Sequence, residues 1–327
     1  MGLSIDVVYR VLAKVLLSPF FVWLIPVTLG IGNYSTRDTG YILSQTYAIL
    51  VVVFQILSQI SKIRNGGQLD FENDVAVITG GSAGLGAVMA SLLSKRLASV
   101  VVVDVAPPRA RIAGVQFFQC DVSDREAVAA TFAEIAEKVG PVTILVNNAG
   151  VSKKGTIVDA PLADIEQTIA VNLTSHFYTA KAVLPKMMEL NRGYVVSVSS
   201  SLAYQGPIEY AAYGASKAGV LGLHESLTYE LLDYTGIKTL LVTPGQMYTS
   251  MFDEIQSPLE FWAPKLKPID LAREVIDTID VGGTGQIALP LYVNYMPFVR
   301  ALPPNAVRFF RWLSGMDAAV RNARVAA

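Results

Sequence analysis

The stretch VAVITGGSAGLGAVMASLLSKRLASVVVVD, residues 75–104, holds two short β-branched runs with a glycine cluster and a helical segment between them. Near-continuous apolar runs of this length read as strands buried on both faces, the pattern of a parallel sheet. Parallel strands need a crossover, and AVMASLLSKRLA supplies a helical one. Further strand candidates stand at residues 115–118, 143–147, 194–198, 238–242 and 286–289, separated by amphipathic helical stretches. The expectation is an α/β domain over residues 73–290, a doubly wound parallel sheet of about seven strands with helices on both faces.

The glycine cluster itself is TGGSAGLG, residues 79–86, placed between strand and helix. Gly80, Gly84 and Gly86 let the backbone turn tightly and approach a pyrophosphate, which would rest on the N–H groups of the helix start. This is the nucleotide end of a Rossmann-type fold. The second strand ends in Asp104, whose carboxylate can accept hydrogen bonds from ribose hydroxyls and would repel a 2′-phosphate. NAD is the cofactor expected, with NADP admitted if Arg109 or Arg111 meets the phosphate. The segment from Asp104 to Cys120 is short for a helical crossover.

Composition excludes other classes. Lys and Arg total 26 against 27 Asp and Glu, so there is no basic field for nucleic acid. One cysteine, Cys120, and two histidines, His176 and His224, cannot build a disulfide frame or a Cys/His metal site, so no metal is expected. Both histidines read as buried, hydrogen-bonded structural groups, and Lys153 and Lys154 as solvated cations.

Hydrophobic residues make up 52% of the chain, and much of the excess lies at its front. Residues 15–32 and 41–60 are uncharged apolar runs, each just long enough to cross the ~30 Å hydrocarbon layer as a helix. Arg10 and Lys14 before the first and Lys62 and Arg64 after the second place both ends in the cytosol. Pro19 and Pro26 would kink the first run, and Ser44, Gln45, Thr46, Gln55 and Gln59 weaken the second, so a shallow re-entrant hairpin competes with two full spans. Residues 1–64 are expected to be a hydrophobic helical anchor, joined by a polar linker over 61–73.

A second stretch, SSSLAYQGPIEYAAYGASK, residues 199–217, carries the candidate chemistry. For a phenol of reference pKa ~10 to move a proton near neutral pH, a neighbour must stabilise the phenolate. On a helix the side chain four positions along shares the face. Tyr204 has Ile208 there and Tyr210 has Gly214, whereas Tyr213 has Lys217. The serines follow a strand candidate and lie at its carboxyl end, where open α/β sheets bind ligands. Local physics leaves Ser199, Ser200 and Ser201 equivalent.

Six motifs now stand in order: TGGSAGLG, then CDVSD from Cys120, NNAG from Asn147, VNL from Val171, YGASK from Tyr213 and PGQMYT from Pro244. Together they resemble the short-chain dehydrogenase/reductase superfamily. The resemblance implies Ser200 as the catalytic serine, 13 positions before the tyrosine. It makes Tyr213 the general acid/base, Lys217 the group that lowers its pKa and holds the nicotinamide ribose, and Asn172 the fourth member of a proton relay. It also places Ser82 and Leu85 in the phosphate loop, Asp121 and Val122 at the adenine, Asn147, Ala149 and Gly150 along the cofactor, and Met247 and Thr249 at the carboxamide. Asn172 heads a glycosylation sequon, as does Asn33, and a cytosolic domain leaves the former unmodified.

Within the superfamily the chain looks like the branch of microsomal retinol dehydrogenases and lipid-droplet 17-beta-hydroxysteroid dehydrogenases. That resemblance implies an endoplasmic reticulum or lipid-droplet location, a catalytic domain in the cytosol and a lipophilic substrate such as a retinoid, steroid or long-chain lipid. Met251, Phe252, Leu259, Phe261 and Trp262 fall in the region that caps the cleft in this superfamily. The segment 291–327 carries aromatics and, from Arg300 onward, five arginines against one aspartate. It suits a membrane interface, or else a homodimer contact. An NADPH-dependent lipid ketone reductase and a non-catalytic scaffold on the droplet or reticulum are the rival functions; Asp104 argues against the first, and the intact Asn172, Ser200, Tyr213 and Lys217 set against the second.

Overall fold

A computed structural model describes residues 4–32, 37–64, 70 and 72–325 of the chain. Asn33, and residues 65–69 and 71 of the expected linker, lie outside them. The chain divides into two compact units, Met1–Gly66 and Gly67–Ala327.

In the first unit, α1 (Ile5–Leu16), α2 (Pro19–Ile31) and α3 (Thr39–Arg64) follow one another. The expectation of two full membrane spans needs correcting. The run 15–32 is broken at Ser18, and Pro19 opens α2 instead of kinking a longer helix. Proline at a helix start costs no hydrogen bond and its fixed φ suits the first turn. The 13 residues of α2 span ~20 Å, short of a bilayer core. Among the described residues, no helix is long and apolar enough to cross a membrane. Val22, Ala48 and Val51 form the small buried core of this unit, and the Tyr47 hydroxyl donates to the Leu16 carbonyl at 2.7 Å. Its outer surface is oily: Trp23, Leu24, Leu43 and Leu50 are all exposed.

The second unit is built on seven parallel strands: β1 (Val75–Thr79), β2 (Ser99–Asp104), β3 (Val115–Gln119), β4 (Ile144–Asn147), β5 (Gly193–Val198), β6 (Ile237–Pro244) and β7 (Gly285–Leu289). Their order in the sheet is β3-β2-β1-β4-β5-β6-β7. The order reverses between β1 and β4, which opens a crevice at the carboxyl ends there. Strands in the centre are buried along their whole length, as the continuous apolar runs require. No helix links β2 to β3, in keeping with the short connection.

Helices α4 (Gly84–Leu93) and α9 (Pro268–Asp280) cover one face, with Leu85, Met89, Leu93, Leu271, Val275 and Ile279 packed on β1, β2 and β5–β7. The other face carries α5 (Arg125–Lys138), α7 (Ser175–Leu190) and α8 (Ala211–Glu230), through Phe132, Ile135, Val183, Met187 and Leu227. Asp124 caps α5 by accepting from the Glu126 and Ala127 amides. The helix α6 (Leu162–Ile169) runs into α7 through a π-helical turn at Ala170–Thr174.

After β7 come α10 (Met296–Arg300), α11 (Pro304–Ser314) and α12 (Met316–Val325). These helices carry the arginines expected at a membrane interface or else a homodimer contact. Two of those arginines are instead spent inside the catalytic unit: Arg300 donates to the Ala203 carbonyl at 3.2 Å, and Arg311 to the Gly206 carbonyl at 2.9 Å. Arg311 also forms a bidentate pair with Asp317. Val320 of α12 is fully buried against Tyr210, Tyr213 and Ile255.

Candidate active site

The crevice at the carboxyl ends of β1, β4, β5 and β6 has a volume of ≈ 430 Å³, within the usual range for small-molecule sites. Gly80, Ala83, Gly84 and Leu85 line one end of it, with Asp104, Asp121 and Val122 alongside. Gly80 has φ +63°, and a Cβ there would lie 2.7 Å from the Ala149 Cα. Only glycine allows that approach. Gly84, with φ +53°, faces open space apart from Thr249. The first turn of α4 has no side-chain cap, so its amides remain available to an anion. The Asp104 carboxylate accepts from the Ser82 amide at 3.0 Å and the Val105 amide at 2.8 Å, which ties the end of β2 to the glycine loop. These features fit a dinucleotide: a glycine cradle that a Cβ would fill, uncapped amides and an acidic end to β2.

Three of the residues expected at the cofactor, Asn147, Gly86 and Ser82, do not line the crevice itself. Asn147 does not line the crevice; its side-chain oxygen accepts from the Thr179 hydroxyl at 2.7 Å, beneath α7. Its neighbour Asn148 faces the cleft and donates to the carbonyls of Thr79 and Gly80, both at 3.0 Å. Successive side chains at a strand end point to opposite faces, which the sequence alone does not assign. Gly86 serves packing, since a Cβ there would fall 2.3 Å from the Gly80 carbonyl oxygen. Ser82 lies in the adjoining hollow with Arg109, Lys95 and Tyr248. Thr79, unmarked by the sequence reading, accepts from the Asn148 and Ala149 amides at 3.1 Å and joins β1 to β4.

At the other end stand the groups of 199–217. The serines separate cleanly. The Ser199 hydroxyl donates to the Lys217 carbonyl at 2.7 Å and is turned into α8. Ser200 caps the 3-10 turn Ser201–Ala203, accepting from the Leu202 amide at 3.2 Å, and it is the hydrogen-bonding neighbour that lowers the Tyr213 phenol. The Lys217 ammonium donates to the Val198 carbonyl at 2.9 Å and sits 5.9 Å from the Tyr213 ring centre. Tyr213 and Lys217 are both buried on one face of α8.

Burial dominates the electrostatics. It pushes the Tyr213 phenol up to about 12, against which the Ser200 hydrogen bond acts. Burial also brings the Lys217 ammonium down to about 8. The expected lowering of the phenol by Lys217 is not found in the free protein, where burial and Ser200 set its acidity, and at neutral pH Tyr213 stands as a proton donor. His224 bonds Ser197 through Nδ1 at 3.1 Å. His176 corrects its expectation, being buried with neither ring nitrogen partnered among the described residues and held neutral by desolvation. Lys153 and Lys154, expected to be solvated, approach Asp164 and Glu209 at 3.7 Å.

Asn172 lies on the π-helical turn, and its side chain is fully engaged. Its oxygen accepts from the Val151 amide at 2.8 Å, and its nitrogen donates to the Val151 carbonyl at 2.9 Å and the Ser216 hydroxyl at 3.1 Å. Ser216 in turn donates to the Tyr213 carbonyl at 2.7 Å. The Asn172 side chain thus fixes the loop after β4 to α8.

Around Ser200 and Tyr213 the walls are apolar. Tyr210, Met251 and Phe252 line them, whereas Tyr204, Leu259, Phe261 and Trp262 do not. Leu259 and Trp262 are exposed. Phe252 stands edge-on to the rings of Tyr210 and Tyr213, with centroids 5.6 and 5.3 Å away.

A phenol backed by a serine and a lysine, buried beside a nucleotide crevice, can pass a proton to or from a substrate oxygen, while a bound nicotinamide cofactor supplies or takes the hydride. That division of labour defines an NAD(P)-dependent oxidoreductase. Residues 74–260 match the family model for short chain dehydrogenases, and the chain belongs to this family. It is 31% identical over 297 residues to the uncharacterized oxidoreductase TDA5 of Saccharomyces cerevisiae, an alignment covering 87% of this chain and 90% of the relative. It is 38% identical over 243 residues to retinol dehydrogenase 10 of Xenopus tropicalis, covering 63% of this chain and 71% of the relative. Among solved structures, the ligand-free aldohexose dehydrogenase of Thermoplasma acidophilum shares the fold with a TM-score of 0.60 and 23% identity, covering 68% of this chain and 94% of that one.

Proposed function

We propose that this short-chain oxidoreductase uses NAD to interconvert a lipophilic alcohol and its carbonyl compound. The observation that carries the reading is the apolar lining of the crevice around the proton-transfer groups: Leu202, Tyr210, Met251, Phe252 and Ile255 surround Ser200 and Tyr213. A hydroxyl held between Ser200 and Tyr213 leaves the rest of its molecule against hydrocarbon and aromatic surface. Likeness to a retinol dehydrogenase supports a retinoid, steroid or long-chain lipid as the substrate class. Use of NAD rests on Asp104. NADPH-dependent reduction of a lipid ketone is the second reading, and it draws on Arg109 in the hollow beside Ser82.

The test is a panel of lipid alcohols and ketones assayed in detergent with both cofactors. Tyr213→Phe should abolish turnover yet keep NADH binding, measured by nucleotide fluorescence. Ser200→Ala should cost roughly 100-fold or more in kcat, the scale of a lost transition-state hydrogen bond. Ser199→Ala, which removes only a bond to the α8 backbone, should be mild. Near-normal turnover by Tyr213→Phe overturns the proton-transfer assignment.

We also propose that the first unit lies in the surface of a reticulum or lipid-droplet membrane without spanning it, with catalysis on the cytosolic side. Its exposed apolar side chains support this reading.

A further inference from the structure

The crevice has one wall that neither the family motifs nor the catalytic segment supplies. Met316 and Val320, one turn apart on α12, line the substrate end. Val320 is fully buried and packs in one cluster with Tyr210, Tyr213 and Ile255, and Met316 joins them. The same part of the chain grips the loop that leaves Ser200. Arg300 donates to Ala203, inside the turn that Ser200 caps. Arg311 reaches Gly206 three residues further on, and the bidentate Arg311–Asp317 pair, at 2.7 to 3.1 Å, holds the start of α12. Gly315 turns the chain between α11 and α12 with φ +63°, a conformation that favours glycine.

We propose that α12 is the specificity wall of this enzyme. Met316 and Val320 set how much apolar bulk fits beyond the reacting carbon, and Arg311 is a positioning residue that holds the wall against the Ser200 loop. Met316 is the adjustable part, because an unbranched side chain with rotatable bonds can give way to a bulky ligand. Val320, β-branched and fully enclosed, is the fixed part. The proposal rests on the reading that the crevice takes a lipophilic alcohol, and it predicts which alcohols are preferred.

The experiment compares the full-length wild type with Met316→Ala, Met316→Trp, Val320→Ala and Arg311→Ala on primary alcohols of graded length and branching, with NADH affinity measured for each. Removing or adding a few methylene equivalents in an apolar pocket changes discrimination by roughly 10-fold or more. Met316→Ala and Val320→Ala should shift the ratio of kcat/KM toward bulkier alcohols by that factor. Met316→Trp should shift it toward smaller ones, with unchanged NADH affinity in all three. Arg311→Ala should flatten the preference and raise KM more than it lowers kcat; a merely structural arginine would lower stability and leave the preference unaltered. If folded variants that bind NADH keep the wild-type preference in both directions, the wall assignment is overturned. Should the wild type turn over no alcohol or ketone, the functional reading fails by itself. The wall is then judged by competition of the same alcohols against a fluorescent polyene alcohol bound with NADH, where an unshifted order among the variants overturns it.

Discussion

Lys217 shows what the site costs the fold. Its side chain is 3% exposed, and burial brings its ammonium from 10.5 down to about 8. Below pH 8 the amine is protonated in both the folded and unfolded chains, and the full burial penalty applies. Between pH 8 and 10 the unfolded chain still binds the proton that the folded chain has released, so stability rises with pH. The opposite sign enters above pH 10, where the unfolded Tyr213 ionises while the folded one, raised to about 12, does not. Lys217→Met should therefore abolish turnover and remove a rise of roughly 3 kcal/mol across the pH 8–10.5 window. Urea unfolding of both proteins at a series of pH values checks this, and parallel profiles would show that the ammonium is well solvated or compensated. The tyrosine and the lysine of this pair were legible in the sequence because helical spacing singles them out. The serine was not, since Ser199, Ser200 and Ser201 differ only in direction. The structure separates them by turning Ser199 onto the Lys217 carbonyl and leaving Ser200 as the neighbour that lowers the Tyr213 phenol.

At the scale of elements, β2 delivers one carboxylate to the crevice and fixes the glycine loop with it. Asp104 engages the Ser82 and Val105 amides with separate oxygens, and each oxygen keeps a lone pair for a ribose hydroxyl. A hydrogen bond to a charged group contributes about 1.5–3 kcal/mol, or roughly 10- to 100-fold. Asp104→Ala should lower kcat/KM for NAD by that factor while NADP use falls much less or rises, because repulsion of the 2′-phosphate is relieved. Equal losses with both cofactors would mean that Asp104 acts only through the loop. The strand itself was readable: all seven strands stand where apolar runs stood, displaced by no more than two residues at an end. Buried parallel strands leave a continuous hydrophobic record. Two kinds of element left none. Asn147 and Asn148 differ only in strand phase at the end of β4, and α12 contributes to the crevice through Met316 and Val320, whose spacing is that of any amphipathic helix. Both are tertiary facts, fixed by what packs beside them.

For the molecule as a whole, the difficulty is the apolar surface of the first unit. Ile31 is 79% exposed, Leu43 64% and Leu50 61%, against a buried core of Val22, Ala48 and Val51. Soluble monomers rarely leave contiguous apolar area of this kind bare. Helices too short or too polar to span can still bury one side in the acyl boundary of a bilayer. The arginines of the C-terminal helices compete for the same role, but Arg300 and Arg311 are committed to Ala203, Gly206 and Asp317. Among the described side chains that leaves Arg308 and Arg321 exposed, while Phe309 and Trp312 pair on α11. Two exposed cations give weak, salt-sensitive attraction, since charges at a surface are screened within ~8 Å at physiological ionic strength. Hydrophobic insertion does not share that sensitivity. The full chain should therefore sediment with neutral phosphatidylcholine vesicles, and should stay bound when salt is raised to about 1 M, where screening lengths fall to ~3 Å. Leu43→Arg with Leu50→Arg, or deletion of residues 1–64, should release it. Release by salt alone, or retention after the deletion, would transfer the attachment to the α11 face, and a full chain that remains in the supernatant would remove the membrane from the account of this enzyme.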